Sequence, residues 1–216
     1  MHEVIAEWIS NGQTLLDDAV DKIRRSKAEY SDAMLNDVEM LLRNGVTPNT
    51  PNSQNHATPL HIAARSQSEI LTLLLWQHGA SLTAVNKFGA TPLHNASRES
   101  LSVRMVKFLI EKGSHINAQT TNGDTPLHQA MRNSRKENVC ALVLAGADAT
   151  IKNKDGDTPQ QMECSPSTRK MYFIALNVGP EEVVHKRSVD REKEPEEVVP
   201  KRYIDRVREI EQAMLE

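Results

Sequence analysis

The dipeptide Thr-Pro opens four segments of nearly the same wording, TPLHIAA from Thr58, TPLHNAS from Thr91, TPLHQAM from Thr125 and TPQQMEC from Thr158, at intervals of 33, 34 and 33 residues. A fixed period of this size means an array. Each unit is one supersecondary element that cannot bury its apolar face alone, so neighbours must stack into a continuous core. Glycine keeps the same measure: Gly79, Gly113, Gly146 and Gly179 follow the four threonines by 21, 22, 21 and 21 residues. Gly89, Gly123 and Gly156 precede three of the threonines by two residues, and His56 holds that slot in the fourth segment. Upstream, SNGQTLLDDAV copies the frame of TNGDTPLHQAM, so Gly12, Thr14 and Gly45 mark a fifth, divergent unit with 31 residues between threonine and glycine. All nine glycines of the 216-residue chain fall on these two marks.

The marks have a physical reading. Glycine serves where the backbone needs positive φ, once in a tight turn and once just past a helix C-terminus. Thr-Pro starts a helix, with threonine as N-cap and proline at the first helical position, where its missing N–H costs nothing. A second helix follows on apolar spacing before each later glycine, as in VEMLLRNG, LTLLLWQHG, VKFLIEKG and VCALVLAG. Each unit therefore reads as turn, helix, helix. The units fall near residues 10–49, 50–84, 85–118, 119–151 and 152–179, making residues 1–179 one domain.

With T-P-L-H-x-A complete in three copies, this stretch resembles the ankyrin repeat, and the resemblance covers roughly Trp8 to Gly179. It implies an all-α solenoid of stacked helix-turn-helix units with β-hairpin-type connecting loops. Asp17 and Gln161 stand where His61, His94 and His128 stand in the complete copies, the kind of departure expected of terminal units. The family also implies that these histidines are structural, hydrogen-bonded to the motif threonine and to neighbouring turns. Asn117, in the loop HINAQT, matches the position at which ankyrin repeats can be hydroxylated on asparagine.

Other chemistry finds little footing. The three histidines lie on successive units, too far apart for the ~2 Å ligand distances of one zinc ion. Cys140 and Cys164 lack CxxC or Cys/His ligand spacing and read as core residues rather than nucleophiles. No GxSxG, HExxH, Walker-type or dinucleotide-binding loop occurs, so no catalytic residue, metal or cofactor is expected. A net charge of -3 gives no basic excess for a phosphate backbone, so no nucleic-acid partner is expected. No apolar run approaches the ~20 residues that span a bilayer, and the N-terminus lacks a secretory pattern, so the expectation is a cytoplasmic or nuclear protein without membrane attachment.

Recognition should fall on positions that the repeat template leaves free. At the loop tips, four and three residues before each threonine, stand Gln54-Asn55, Lys87-Phe88, Thr121-Asn122 and Lys154-Asp155. Phe88 is the one aromatic among them, and aromatic residues carry much of the energy of protein interfaces. Lys87, Asn122 and Lys154 complete the expected tip set. Seven residues after the threonines, Arg65, Arg98 and Arg132 form an arginine ladder suited to spaced carboxylates. Alanine at all three is expected to weaken partner binding with little change in thermal stability.

Composition changes after Gly179. Residues 180–216 hold eight Lys+Arg and eleven Asp+Glu, leaving eighteen of each in residues 1–179, so this segment carries the whole net charge. It also carries a duplication, PEEVVHKRSVDR from Pro180 and PEEVVPKRYIDR from Pro195, identical at nine of twelve positions. The repeat reads as a tandem linear motif, its first copy carrying Glu181, Val183, Val184, Lys186 and Arg187, its second Glu196, Val198, Val199, Lys201 and Arg202. Two copies suit a bivalent partner; a charged spacer is the competing reading. Tyr203, Val207, Ile210 and Met214 suggest a short amphipathic helix after Pro200. The sequence thus points to a non-catalytic scaffold, adaptor or inhibitor that binds another protein through the repeat groove and through the tail, as a monomer or a subunit of a hetero-complex. A regulatory subunit of an enzyme complex, or an effector directed at a host, is the alternative.

Overall fold

In a computed structural model the described residues are 15–22, 32–66, 68–99 and 103–177. They belong to one compact unit ending at Asn177; a second unit, Val178–Glu216, lies outside them, and with it the duplicated motif and the expected C-terminal helix. No strand occurs among the described residues.

The helices come in pairs. Residues 15–22 form α1 and Asp32–Arg43 forms α2; Pro59–Ser66 (α3) pairs with Glu69–Gln77 (α4), Pro92–Arg98 (α5) with Val103–Glu111 (α6), and Pro126–Arg132 (α7) with Lys136–Leu144 (α8). A 3₁₀ turn, Pro159–Gln161, and a twelve-residue helix α9, Pro166–Asn177, complete the order. First helices pack on first helices (α3 on α5, α5 on α7) and second on second (α4 on α6, α6 on α8), giving two layers. Residues 23–31, between α1 and α2, lie outside the described residues, as do Gly12 and Thr14.

Apolar side chains at matching positions fill the space between the layers. One cluster runs from Leu16 and Val20 through Val38, Leu60 and Leu71 to Leu75; the other runs from Leu93 and Met105 through Leu127, Met131 and Leu142 to Tyr172. Leu82 touches both, so the core continues along the stack. On the outer side Lys112 Nζ sits 4.6 Å from the Trp76 ring and 5.5 Å from the Phe108 ring, a cation–π contact that ties α6 to α4. At the two ends of the described stack apolar groups face outward: Leu15 and Met40 at one, Phe173, Ile174 and Leu176 at the other.

Each loop folds back as a tight turn. In the third unit Asn86 N–H donates to Ala90 O (3.1 Å), Gly89 N–H donates to Asn86 O (2.9 Å), and the Asn86 Oδ1 accepts from Phe88 N–H (2.9 Å) and Ala90 N–H (3.1 Å). Gly89 has φ +69°, and a Cβ there would stand 2.7 Å from Thr121 N, so both the turn and the approach of the next loop require glycine. In the second unit the same bond closes one residue wider, from Asn52 N–H to Ala57 O, and His56 occupies the left-handed slot at φ 57°.

The fifth unit departs from the expected pattern. Thr158-Pro159 starts only a three-residue 3₁₀ turn instead of a full first helix. The reason lies downstream: Pro166 restricts Ser165 to extended backbone and opens α9, so the second helix begins eight residues after its threonine rather than the eleven of α4 and α8. The Ser165 hydroxyl caps that helix, accepting from Thr168 N–H at 3.3 Å.

Candidate functional site

The geometry of the site begins with the three histidines, because they set the spacing between loops. At each, the threonine N–H and the threonine hydroxyl both meet Nδ1, at 3.2 and 2.9 Å for Thr58–His61, 3.1 and 2.9 Å for Thr91–His94, and 3.1 and 2.9 Å for Thr125–His128. An N–H can only donate, so Nδ1 is the acceptor and the ring proton resides on Nε2. Nε2–H then donates to a carbonyl of the following loop: Ala90 O at 2.8 Å, Asp124 O at 3.0 Å and Asp157 O at 3.0 Å. Burial pushes all three rings below the ordinary histidine value, against the pull of those carbonyls, and holds His94 at about 4. Both nitrogens are committed, which leaves these rings no lone pair for a metal and no mobile proton. Gln161 keeps half of the device, its Oε1 accepting from Thr158 N–H (2.8 Å) and from the Thr158 hydroxyl (2.9 Å).

The loop tips are joined in register. Lys87 N–H donates to Asn55 O, Thr121 N–H to Phe88 O and Lys154 N–H to Asn122 O, each at 2.9 Å. These are the positions singled out from sequence, so their backbones hold the loops together while their side chains are left to point elsewhere. Between the tips and the first helices lies a cavity of about 360 Å³. The second unit contributes Asn55 and Arg65 to its lining, the third Asn86, Phe88, Asn95, Arg98 and Glu99, the fourth Thr121, Asn122, Asp124, Gln129 and Arg132. No residue of α4, α6 or α8 lines it.

Arg65, Arg98, Arg132, Phe88 and Asn122 thus meet in one groove, whereas Lys87 and Lys154 do not line it. The Lys87 ammonium instead lies 5.1 Å from the Phe88 ring and donates to Gln54 O at 3.1 Å. Phe88 is 56% exposed.

The ladder of three equivalent arginines is corrected by its pairing. Arg132 makes a bidentate pair with Asp124, whose carboxylate also accepts from the Gln129 and Asn153 amides. Asp124 is only 2% exposed. Burial works to raise its carboxyl, and Arg132 and Asn153 outweigh it and hold it below the usual carboxylate range. Alanine at Arg132 would strand a buried charge, so the triple alanine change would not spare stability as the bare sequence suggests. Arg65 faces Glu99 of the next unit at a loose 3.7 Å with both groups partly exposed, a contact of little energetic weight. Arg98 has no side-chain partner among the described residues.

Asp124, Glu99, Asn95 and Gln129 escaped the sequence reading. Asp124 sits one residue before the motif threonine, where the other units carry Ala57, Ala90 and Asp157, and only its eight-residue distance from Arg132, spanning one helix, could have marked it. Asn117 is exposed in its loop, and its Oδ1 accepts from Asp148 N–H at 2.9 Å, just as Asn49 Oδ1 accepts from Ser81 N–H at 2.8 Å. Both cysteines are half-buried rather than fully in the core, Cys164 packing against the edge of the second core cluster; neither is in a disulfide. The tail residues from Glu181 to Arg202 lie outside the described residues. Among the described residues no helix is long and apolar enough to cross a membrane, and no three of His, Cys, Asp and Glu group as metal ligands would.

Comparison with known proteins bears on the same stretch. A model of three ankyrin repeats matches residues 83–153, and a single-repeat model matches residues 55–87. The chain is 36% identical over 73 residues to ankyrin repeat protein FPV031 of fowlpox virus, covering 34% of this chain and 21% of that protein. It is 41% identical over 54 residues to an ankyrin repeat protein of Rickettsia bellii, covering 25% of this chain and 23% of that one. The chain therefore spans less than a quarter of the length of the curated relatives it matches. The matched stretch is the part of the stack in which the threonine–histidine box is intact, and over residues 55–153 the chain belongs to the ankyrin repeat family.

Proposed function

We propose that this chain is a non-catalytic adaptor or inhibitor that recognises a partner protein in the groove between its loop tips and first helices, with residues 180–216 as a second binding surface. Ankyrin repeats are generally protein–protein interaction modules, and typically without catalysis. The observation that carries the reading is the convergence of Phe88, Arg98, Asn122, Arg65 and Arg132, from three successive units, on one open groove. Phe88 and Arg98 are not needed for the core, and aromatic and arginine side chains are the types that dominate interface energies. A mouth this open and this rich in amides and hydroxyls suits a protein segment better than a small apolar molecule, which would need a closed apolar pocket. The same proposal has the protein acting in the cytoplasm or nucleus, as a monomer or as a subunit of a hetero-complex, without nucleic acid or membrane. Net charge -3 and the two cysteines outside any disulfide support it.

The test is a quantitative pull-down with three baits: the full chain, the chain ending at Gly179, and the full chain carrying Phe88→Ala with Arg98→Gln. Partners lost with the double substitution and kept by the shortened chain support the groove. Partners lost only with the tail would move recognition to the duplicated motif, and equal partner lists for all three baits would contradict both surfaces.

A further inference from the structure

Within the groove, and resting on the reading of it as a binding surface, we infer that Arg98 is the anchor for a single carboxylate of the partner, presented beside an apolar side chain that covers Phe88. Five charged groups line the groove, three guanidiniums and two carboxylates. Arg132 is spent on the buried Asp124, and Arg65 has the Glu99 carboxylate 3.7 Å away. Only the Arg98 guanidinium, exposed and midway along the row, has no counter-charge among the described residues. The groove therefore carries one net positive charge, fixed at its centre.

What surrounds that charge narrows the partner. The remaining polar lining is neutral, with Asn55, Asn95, Thr121 and Asn122 in reach of a peptide backbone. Asn95 is held in place by donating its amide to His61 O at 3.1 Å, and its fixed position shapes the groove floor next to Arg98. A guanidinium offers a planar fork matched to a carboxylate, and a charge-assisted pair of this kind is roughly twice as strong as a neutral hydrogen bond. The Glu99 carboxylate lies in the same lining and disfavours a second negative charge beside Arg98, so a dianionic phosphate fits worse than an aspartate or glutamate side chain. Phe88, exposed in the same lining, supplies an apolar contact beside the charge. The occupant is thus a segment of a partner protein with an acidic residue next to an aliphatic or aromatic one.

The experiment uses the full chain against a positional library of N-acetylated, C-amidated nonapeptides that includes phosphoserine. The wild type should enrich Asp or Glu adjacent to Leu, Ile or Phe and prefer a Glu peptide over its Gln counterpart by about tenfold. Arg98→Gln should abolish the acid preference and keep the apolar one, Arg98→Lys should retain part of it, and Phe88→Ala should do the reverse of Arg98→Gln. Equal melting temperatures show that the variants are folded, as expected for a side chain that holds nothing else in place. An acid preference unchanged in Arg98→Gln, or enrichment without any acid preference, overturns the carboxylate anchor while leaving the groove as a binding surface. Phosphoserine preferred over glutamate overturns it as well. No enrichment by the wild type over the Phe88→Ala, Arg98→Gln double variant removes the groove reading and this inference together.

Discussion

His94 is held neutral by where it sits: burial opposes the charged ring, and its Nδ1 has already accepted two hydrogen bonds that a proton there would break. The folded-state value of about 4 lies below the ordinary 6.5, so the unfolded chain binds the proton first. Stability from this residue is complete above pH 6.5 and is lost as pH falls from 6.5 toward 4. His61 and His128 are shifted in the same direction, so denaturant melts should lose midpoint through that window, and a His94→Gln variant should show a shallower loss. A second residue is a defect rather than a support. Thr72 stands in the slot held by Val38, Val106 and Val139, fully buried, with a hydroxyl that meets no hydrogen-bond partner among the described residues. Thr72→Val should raise unfolding free energy by about 1 kcal/mol, read from the urea midpoint at unchanged slope. The histidine positions were legible in sequence because the repeat wrote them three times. Asp124 was not, because its role depends on Arg132 reaching back across a helix, and no other unit repeats that pair.

At the scale of the element, what joins one unit to the next is the satisfaction of helix ends. The carbonyls closing α5 find donors in the following unit: the buried Asn138 amide reaches Ser97 O at 3.1 Å and Glu99 O at 2.9 Å, and Arg135 Nε reaches Arg98 O at 2.8 Å. Asn138→Ala removes the amide and leaves those carbonyls under-satisfied, so it should cost about 2 kcal/mol and lower the hydrogen-exchange protection of α5 more than that of α3. A surface substitution such as Glu137→Ala should leave both unchanged. Helix pairing, caps and the layer order follow from Thr-Pro, glycine and apolar spacing, and could be read directly. The collapse of the fifth first helix to a 3₁₀ turn could not, since the threonine signal there is intact and is overridden by Pro166 several residues downstream.

For the whole molecule the repeats supply a scaffold whose groove side and outer side have different tasks. The outer layer is tied by packing and by Lys112 between Trp76 and Phe108; the groove side leaves the Phe88 ring exposed and the Arg98 guanidinium without a side-chain partner among the described residues. Sequence reasoning found the groove residues by asking which positions the template leaves free, and it failed where the pair with buried Asp124 removed Arg132 from the free set. The 36% and 41% identities to ankyrin repeat proteins of a virus and a bacterium fall on short stretches of repeat, so they bear on the scaffold and not on the partner. The most direct test places a photo-crosslinking amino acid at Phe88 in one version of the full chain and at Lys107 on α6 in another, each expressed in cells and irradiated. Discrete crosslinked partners from position 88, absent from position 107 and reduced by Arg98→Gln, are the predicted result. Partners captured equally from both positions, or from position 107 alone, would contradict the assignment of recognition to the groove.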